Sequence, residues 1–106
     1  MPYIVVRTLW PFSKREELIK KVIETMKKYP EDKTLGEQKV SATKSTLEGI
    51  NNLNIWEVKK GKLEEALDRI GNALAMYAEV EGFTYHYEVW LTQIESYSKI
   101  GRKPPE

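Results

Sequence analysis

His86 and Glu88 are the residues of this chain whose types and spacing most suggest chemistry. They lie in the segment 83–91, FTYHYEVWL, which holds the only histidine and four of the aromatic residues. If this segment is a strand, residues two apart share one face, so the carboxylate could orient the imidazole. An imidazole titrates near neutrality and therefore suits a general base. The plainer interpretation is a sheet histidine that is hydrogen-bonded at a subunit interface.

Arg7 is the third candidate, because it interrupts an otherwise apolar segment near the N-terminus. Its planar guanidinium could bind a ligand carboxylate through two parallel hydrogen bonds. It could equally form an internal ion pair with Glu57 or Glu88 that fixes the geometry of a dimer. Arg7, His86 and Glu88 are therefore the candidate catalytic residues.

Trp10, Trp56 and Trp90 are many tryptophans for so short a chain. Together with Tyr3 they are candidates for lining a pocket that takes a flat aromatic ligand. Trp10 precedes Pro11 at the end of an apolar segment and is the best placed for a pocket mouth. Large aromatic side chains also serve core packing and dimer interfaces, so the pattern leaves both uses open.

The composition is that of one globular domain: 106 residues, of which 41% are hydrophobic and 31% charged. The absence of cysteine and the single histidine exclude a thiolate nucleophile, a disulfide framework and a multi-histidine metal site within one subunit. No cofactor is expected. The chain also lacks a Gly-rich phosphate loop, a nucleophile elbow and a Ser-His-Asp arrangement.

Charge and hydropathy exclude two classes of partner. The net charge is +1 and the basic residues are not clustered, so no nucleic acid is expected. No apolar run approaches the roughly 20 residues that a membrane span requires, and no signal pattern is visible, so we expect a cytoplasmic protein that does not bind membranes. The excess of Lys over Arg and of Glu over Asp is typical of a heat-adapted source.

The elements that would position these residues alternate between the two kinds of secondary structure. A capping box at Ser13–Glu16 predicts the start of helix one, and Pro30 predicts its end near Tyr29. Helical spacing predicts that helix one packs on the core with one apolar stripe: Leu18, Ile19, Val22, Ile23, Met26 and Tyr29. The other predicted elements are strands 3–10, 38–47 and 53–59, a helix 62–80, and a last strand from 83 to 91 that extends as far as 94 at most.

The order strand, helix, strand, strand, helix, strand predicts an α+β, ferredoxin-like domain over residues 1–95, followed by a C-terminal tail over 96–106. Right-handed crossovers place both helices on one face of a four-stranded antiparallel sheet. The other face would then expose Tyr3, Val5 and Leu9, with one side each of strands three and four. Monomers rarely leave such a patch in water, so we predict a homodimer in which two sheets pair face to face.

On this order of elements, and on strands that are apolar on both faces, the chain resembles the dimeric α+β barrel superfamily over residues 3–94. The resemblance implies that a small, often hydrophobic, molecule binds between sheet and helices or inside the barrel. Members of the superfamily include monooxygenases that need neither metal nor cofactor, lactone isomerases and haem-handling proteins. If this chain is an enzyme, the resemblance implies a cofactor-independent monooxygenase-like or isomerase-like activity.

Two functions from different classes are consistent with these features. The first is a dimeric barrel that binds a small hydrophobic or aromatic acid ligand. The second is a structural or interaction module whose second sheet face serves only for oligomerisation. RNA-recognition domains share the element order, but strand three lacks their Gly-Phe-like run. Amino-acid-sensing domains usually carry a glycine in the first strand–helix loop, and the segment 10–13, WPFS, has none.

Overall fold

The computed structural model describes residues 1–105. A short 3₁₀ turn at Phe12–Lys14 joins the first strand to the first helix. The other elements are β1 Tyr3–Trp10, α1 Arg15–Lys28, β2 Gly36–Ser45, β3 Ile50–Val58, α2 Leu63–Tyr77, β4 Thr84–Trp90 and α3 Gln93–Ser98. The strands form one antiparallel sheet in the order β2-β3-β1-β4, which confirms the α+β, ferredoxin-like prediction.

The parity of β1 determines which side chains lie on each face of the sheet. Ile4 and Val6 are buried and pack with residues of both α1 and α2, so the two long helices cover the same face. Val5 and Arg7 alternate with them and lie on the opposite face. We call the side covered by the helices the helical face of the sheet, and the opposite side the open face.

The core lies between the helical face and the two long helices. Its largest fully buried side chains are Ile4 and Val58 from the sheet and Leu18 from α1. Ala66 and Leu74 of α2 complete the contact between the layers. This part of the interior is therefore apolar and closely packed.

The apolar stripe of α1 faces the core only in part. Leu18 and Thr25 are buried, whereas Ile19 and Ile23 are exposed and Met26 is 64% exposed, so only part of the predicted stripe lies against the core. The rotation of α1 turns Leu18 and Thr25 inward, and α1 also contacts α2 and the turn after α2. Lys21 forms an ion pair with Glu79 at 2.5 Å, and the Thr25 hydroxyl contacts the sulfur of Met76 at 3.7 Å.

The predicted capping box at the start of α1 was wrong. α1 begins at Arg15 without a side-chain cap, because the residues of the predicted capping box enter the 3₁₀ turn. A capping box forms instead at the start of α3, where Thr92 Oγ1 accepts a hydrogen bond from the Glu95 N–H at 3.1 Å and Glu95 Oε1 accepts one from the Thr92 N–H at 2.9 Å. The hydrogen bond that the Glu95 carboxylate accepts from the Thr92 N–H lowers the pKa of Glu95. The last strand ends at Trp90, one residue before the predicted Leu91, and α3 follows at Gln93–Ser98.

Among residues 1–105 no helix is long and apolar enough to cross a membrane. The same part of the chain holds no group of three or more acidic or histidine side chains arranged to bind a metal ion.

Candidate functional site

A cavity of about 500 Å³ lies between the helical face of the sheet and the two long helices. We call it the chamber. Its floor is formed by β1, β2 and β3, and its walls and roof come from α1 and α2. The volume lies within the range of small-molecule sites, which is about 300–1,000 Å³.

The floor of the chamber is polar. Thr8 of β1 is paired in register with Asn52 of β3, and the Asn52 Nδ2 donates a hydrogen bond to the Thr8 Oγ1 at 3.2 Å. One step along β3, the Asn54 Oδ1 accepts a hydrogen bond from the Gln38 Nε2 of β2 at 2.8 Å. Three amide side chains and a hydroxyl beneath two helices would be costly in a dry core, because buried polar groups need partners. Their presence favours a site that takes a polar group.

The walls of the chamber are aromatic and apolar. Trp10 and Trp56 are half-buried and line it from the sheet, while Tyr77 and Met26 line it from α2 and α1. Burial raises the pKa of the Tyr77 hydroxyl, although the nearby Thr25 acts in the opposite direction. Flat aromatic walls above a polar floor form a site suited to a planar ligand.

The charged residues that line the chamber come from α2 and from the segment between α1 and β2: Arg69, Glu31 and Asp32. Hydrogen bonds from the Thr34 hydroxyl and backbone N–H, and then the charge of Arg69, hold the pKa of Asp32 below its ordinary value. None of the three belongs to the sheet, so the floor itself is uncharged.

The open face carries the other predicted residues. The His86 Nε2 lies 3.7 Å from the Glu88 Oε2, which confirms that the two side chains are neighbours on one face. This distance is too long for a hydrogen bond, and the histidine side chain is 70% exposed. Arg7 is paired in register with His86 and Leu53, and it forms no ion pair with any residue from 1 to 105.

A groove of about 520 Å³ crosses the open face. Tyr3, Arg7 and Trp90 line it beside apolar residues of β1 and β3. The predicted site residues therefore divide into two groups on opposite sides of the sheet. Trp10 and Trp56 belong to the chamber, whereas Tyr3, Arg7, His86, Glu88 and Trp90 belong to the open face.

The polar floor was not predicted from the sequence. The predicted strands 38–47 and 53–59 leave Asn52 in the connection between them, where asparagines are common. The turn lies earlier, at 46–49, so that Asn52 falls within β3. The available signal was the alternation of Asn52, Asn54 and Trp56 with Leu53 and Ile55, which indicates a strand with one polar and aromatic face and one aliphatic face.

No protein-family model matches the chain, and no curated protein does. Solved structures do match it. One is "De novo designed protein Foldit4", 15% identical, with a TM-score of 0.56 over 86% of this chain and 97% of that chain. Another is a conserved protein from Methanosarcina mazei Go1, 12% identical, with a TM-score of 0.52 over 85% of this chain and 91% of that chain. At these identities the likeness establishes only the fold, which by itself carries no function.

Proposed function

We propose that this protein binds a small, flat, hydrophobic ligand in the chamber between the sheet and the helices. The observation that carries the proposal is the cavity of about 500 Å³ whose walls include Trp10 and Trp56 and whose floor is polar. Such a combination of apolar enclosure and a few convergent polar groups is typical of ligand sites. Whether the bound molecule is a substrate of an isomerase-like or monooxygenase-like reaction depends on its identity.

We also propose that the chain forms a homodimer of the dimeric α+β barrel type, in which the open faces of two copies pair. Val5, Leu53 and Ile55 form the aliphatic centre of this face and are flanked by Tyr3 and Trp90. Val5 is only 8% exposed in the single chain, so the expectation that this face exposes it was wrong, whereas Leu53 and Ile55 are half-buried and Trp90 is 54% exposed. Each large apolar side chain that is removed from water contributes about 1.5–3 kcal/mol, so several per subunit support association.

Charged groups of both signs lie around this aliphatic centre. Arg7 and Lys39 contribute positive charge to the groove, and Glu57 contributes negative charge. A twofold axis brings each surface against itself, so a face with both signs can complement a second copy. The guanidinium of Arg7 is therefore free to form the predicted ion pair that fixes the geometry of the dimer. A cytoplasmic location and a heat-adapted source stay predictions from composition.

The alternative function is an interaction module in which only the open face is used. The two proposals differ in the ligand they require, because the module has no use for the chamber. A matched pair of tryptophan variants separates them. Trp56→Ala removes an aromatic wall of the chamber, and Trp90→Ala removes an exposed indole from the open face.

The experiment is a thermal-shift screen of neutral and acidic aromatic compounds, followed by calorimetric titration of the hits. We expect Trp56→Ala to weaken binding by at least about tenfold, which corresponds to roughly 1.4 kcal/mol. Trp90→Ala should leave the affinity within about twofold of the wild type, because it lies on the other side of the sheet. Binding that is lost in Trp90→Ala and kept in Trp56→Ala would move the ligand to the open face and overturn the proposal.

A further inference from the structure

We propose that the chamber selects an uncharged planar heteroaromatic compound in which a ring N–H lies next to a ring C=O. Asn52 and Asn54 form hydrogen bonds with these two groups. The inference rests on the proposed function, since it requires that the chamber binds a ligand. It goes further in naming the chemical class and the residues that determine specificity.

The floor has hydrogen-bonding capacity that the protein itself does not use. An asparagine amide offers two N–H donors and an acceptor oxygen. The Asn52 Nδ2 uses one donor on Thr8, and the Asn54 Oδ1 accepts from Gln38. The Asn52 Oδ1 and the Asn54 Nδ2 have no partner among residues 1–105, yet neither is a buried unsatisfied atom. The two groups are therefore open to the chamber, one as an acceptor and the other as a donor.

The two asparagines also lie in the right place relative to the indoles. Asn52 and Asn54 are two residues apart on the helical face of β3, which places them about 7 Å apart along the strand. Trp10 is paired in register with Ile50, one step beyond Asn52, and Trp56 lies one step beyond Asn54. The Asn52 acceptor and the Asn54 donor thus occupy successive positions on the helical face of β3, between the two indoles. This order is complementary to a lactam edge, whose N–H donates to the Asn52 oxygen and whose carbonyl accepts from the Asn54 amide.

The charges around the chamber favour a neutral ligand. The chamber is lined by two carboxylates, Glu31 and Asp32, and a single guanidinium, Arg69. The pKa of Asp32 is lowered, so its carboxylate is ionised at neutral pH. An acidic ligand would meet a net negative charge, and its carboxylate would find only neutral groups on the floor. The aromatic acid expected from Arg7 therefore does not suit the chamber, since Arg7 lies on the open face.

A series of three bicyclic compounds of similar shape tests the inference on the wild-type protein. Quinolin-2-one carries the N–H and the C=O, N-methylquinolin-2-one has the donor blocked, and naphthalene supplies shape alone. Quenching of tryptophan fluorescence and calorimetry give the dissociation constants. We expect quinolin-2-one to bind at least tenfold more tightly than either of the others, because each of them leaves a polar atom of the floor unpaired.

The variants Asn54→Leu and Asn52→Leu assign the selectivity to the floor. Each should bring quinolin-2-one and naphthalene to within about threefold of one another. The matched control is Asn72→Leu on the exposed surface of α2, which should keep the full difference. Far-UV circular dichroism reports whether each variant is folded, and the comparison of the three compounds on the wild type does not depend on any variant.

Three results overturn the inference. If naphthalene and quinolin-2-one bind the wild type equally well, the chamber is an apolar pocket, and the proposed function survives while the ligand class does not. If 2-naphthoate binds more tightly than quinolin-2-one, the preference for an uncharged ligand is wrong. If none of these compounds binds, both the inference and the proposed function fail. Binding of naphthalene requires only the cavity and its tryptophans, so its absence would show that the chamber does not take a flat hydrophobic ligand.

Discussion

The two faces of the sheet carry different numbers of aromatic residues and place them in different surroundings: Trp10, Trp56, Tyr85 and Tyr87 lie on the helical face, and Tyr3 and Trp90 lie on the open face. On the helical face, Trp10 and Trp56 stand beside amide side chains beneath two helices. On the open face, Tyr3 and Trp90 stand beside aliphatic residues, and Trp90 is 54% exposed. A pocket and an interface therefore use the same large side chains. The difference lies in what surrounds them, since apolar walls with polar partners suit a ligand, and an aliphatic surface with an exposed indole beside it suits another protein surface.

The helical face itself has a closely packed apolar part and a part that lines the chamber. Near Ile4 and Val58 the sheet and helices pack closely, and both side chains are fully buried. Near Asn52 and Asn54 the same two layers enclose the chamber. Stability is concentrated in the first region, which leaves the second free to hold polar groups that a packed core would not tolerate.

The largest effect is expected from a charge in the middle of the open face. Ile55→Glu places a carboxylate at the centre of the proposed dimer interface, where its desolvation opposes association. We expect the wild type to sediment at twice the chain mass of 12.4 kDa and the variant at 12.4 kDa. Thr43→Glu is the control, because Thr43 is exposed on the helical face of β2. A wild type that is monomeric at micromolar concentration would remove the dimer and the barrel.

The next effect compares two isoleucines on opposite faces. Ile4→Ala should lower the free energy of unfolding by about 2–5 kcal/mol, because Ile4 is 0% exposed. Ile55 is half-buried in the single chain. If a second copy covers it, Ile55→Ala should cost a comparable amount, and the melting temperature should rise with protein concentration.

Urea denaturation at two protein concentrations measures both variants. Ile55→Ala would lower the free energy of unfolding by less than about 0.5 kcal/mol if Ile55 were an ordinary surface residue. Such a small decrease, together with a melting temperature that does not change with protein concentration, would contradict a dimer in which the open face is covered.

The smallest effect is the pH dependence of stability that arises from Tyr77 of α2. Burial raises the pKa of Tyr77 above its unfolded value of 10.0, so the neutral hydroxyl is favoured in the folded state. Its contribution to stability is present below pH 10.0 and is lost as the pH rises through the folded pKa. Tyr77→Phe cannot ionise, so it should lose less stability than the wild type between pH 9 and pH 11. Denaturation midpoints over that range measure the difference, and parallel pH profiles would indicate that Tyr77 is solvated.

Much of the fold was predictable because strand parity and element order are local properties. The alternation in β1 placed Ile4 and Val5 on opposite faces, and the order of elements determined the strand order. The capping box was misplaced for an equally local reason. Both Ser13 and Thr92 stand three residues before a glutamate, and only the conformation of the preceding chain decides which of them can cap a helix.

The rotation of α1 and the presence of the chamber could not be predicted in this way. Helical spacing shows which residues share a side of α1, but only the packing of α1 against the sheet and α2 decides that Leu18 and Thr25 are the buried ones. The chamber depends on how far two helices stand from a sheet. That distance is set by side chains from five elements at once, and no single segment encodes it.

The amino-acid sequence alone determined a strand order, two apolar faces for β1, and the proximity of His86 to Glu88, because each depends on residues two apart or on the order of segments. The tertiary structure alone decided that the tryptophans divide between two faces and that Asn52 and Asn54 form the floor of a cavity. The physical reason is that alternation assigns a side chain to a face, whereas only the packing of the layers decides whether that face meets a core, a cavity or water.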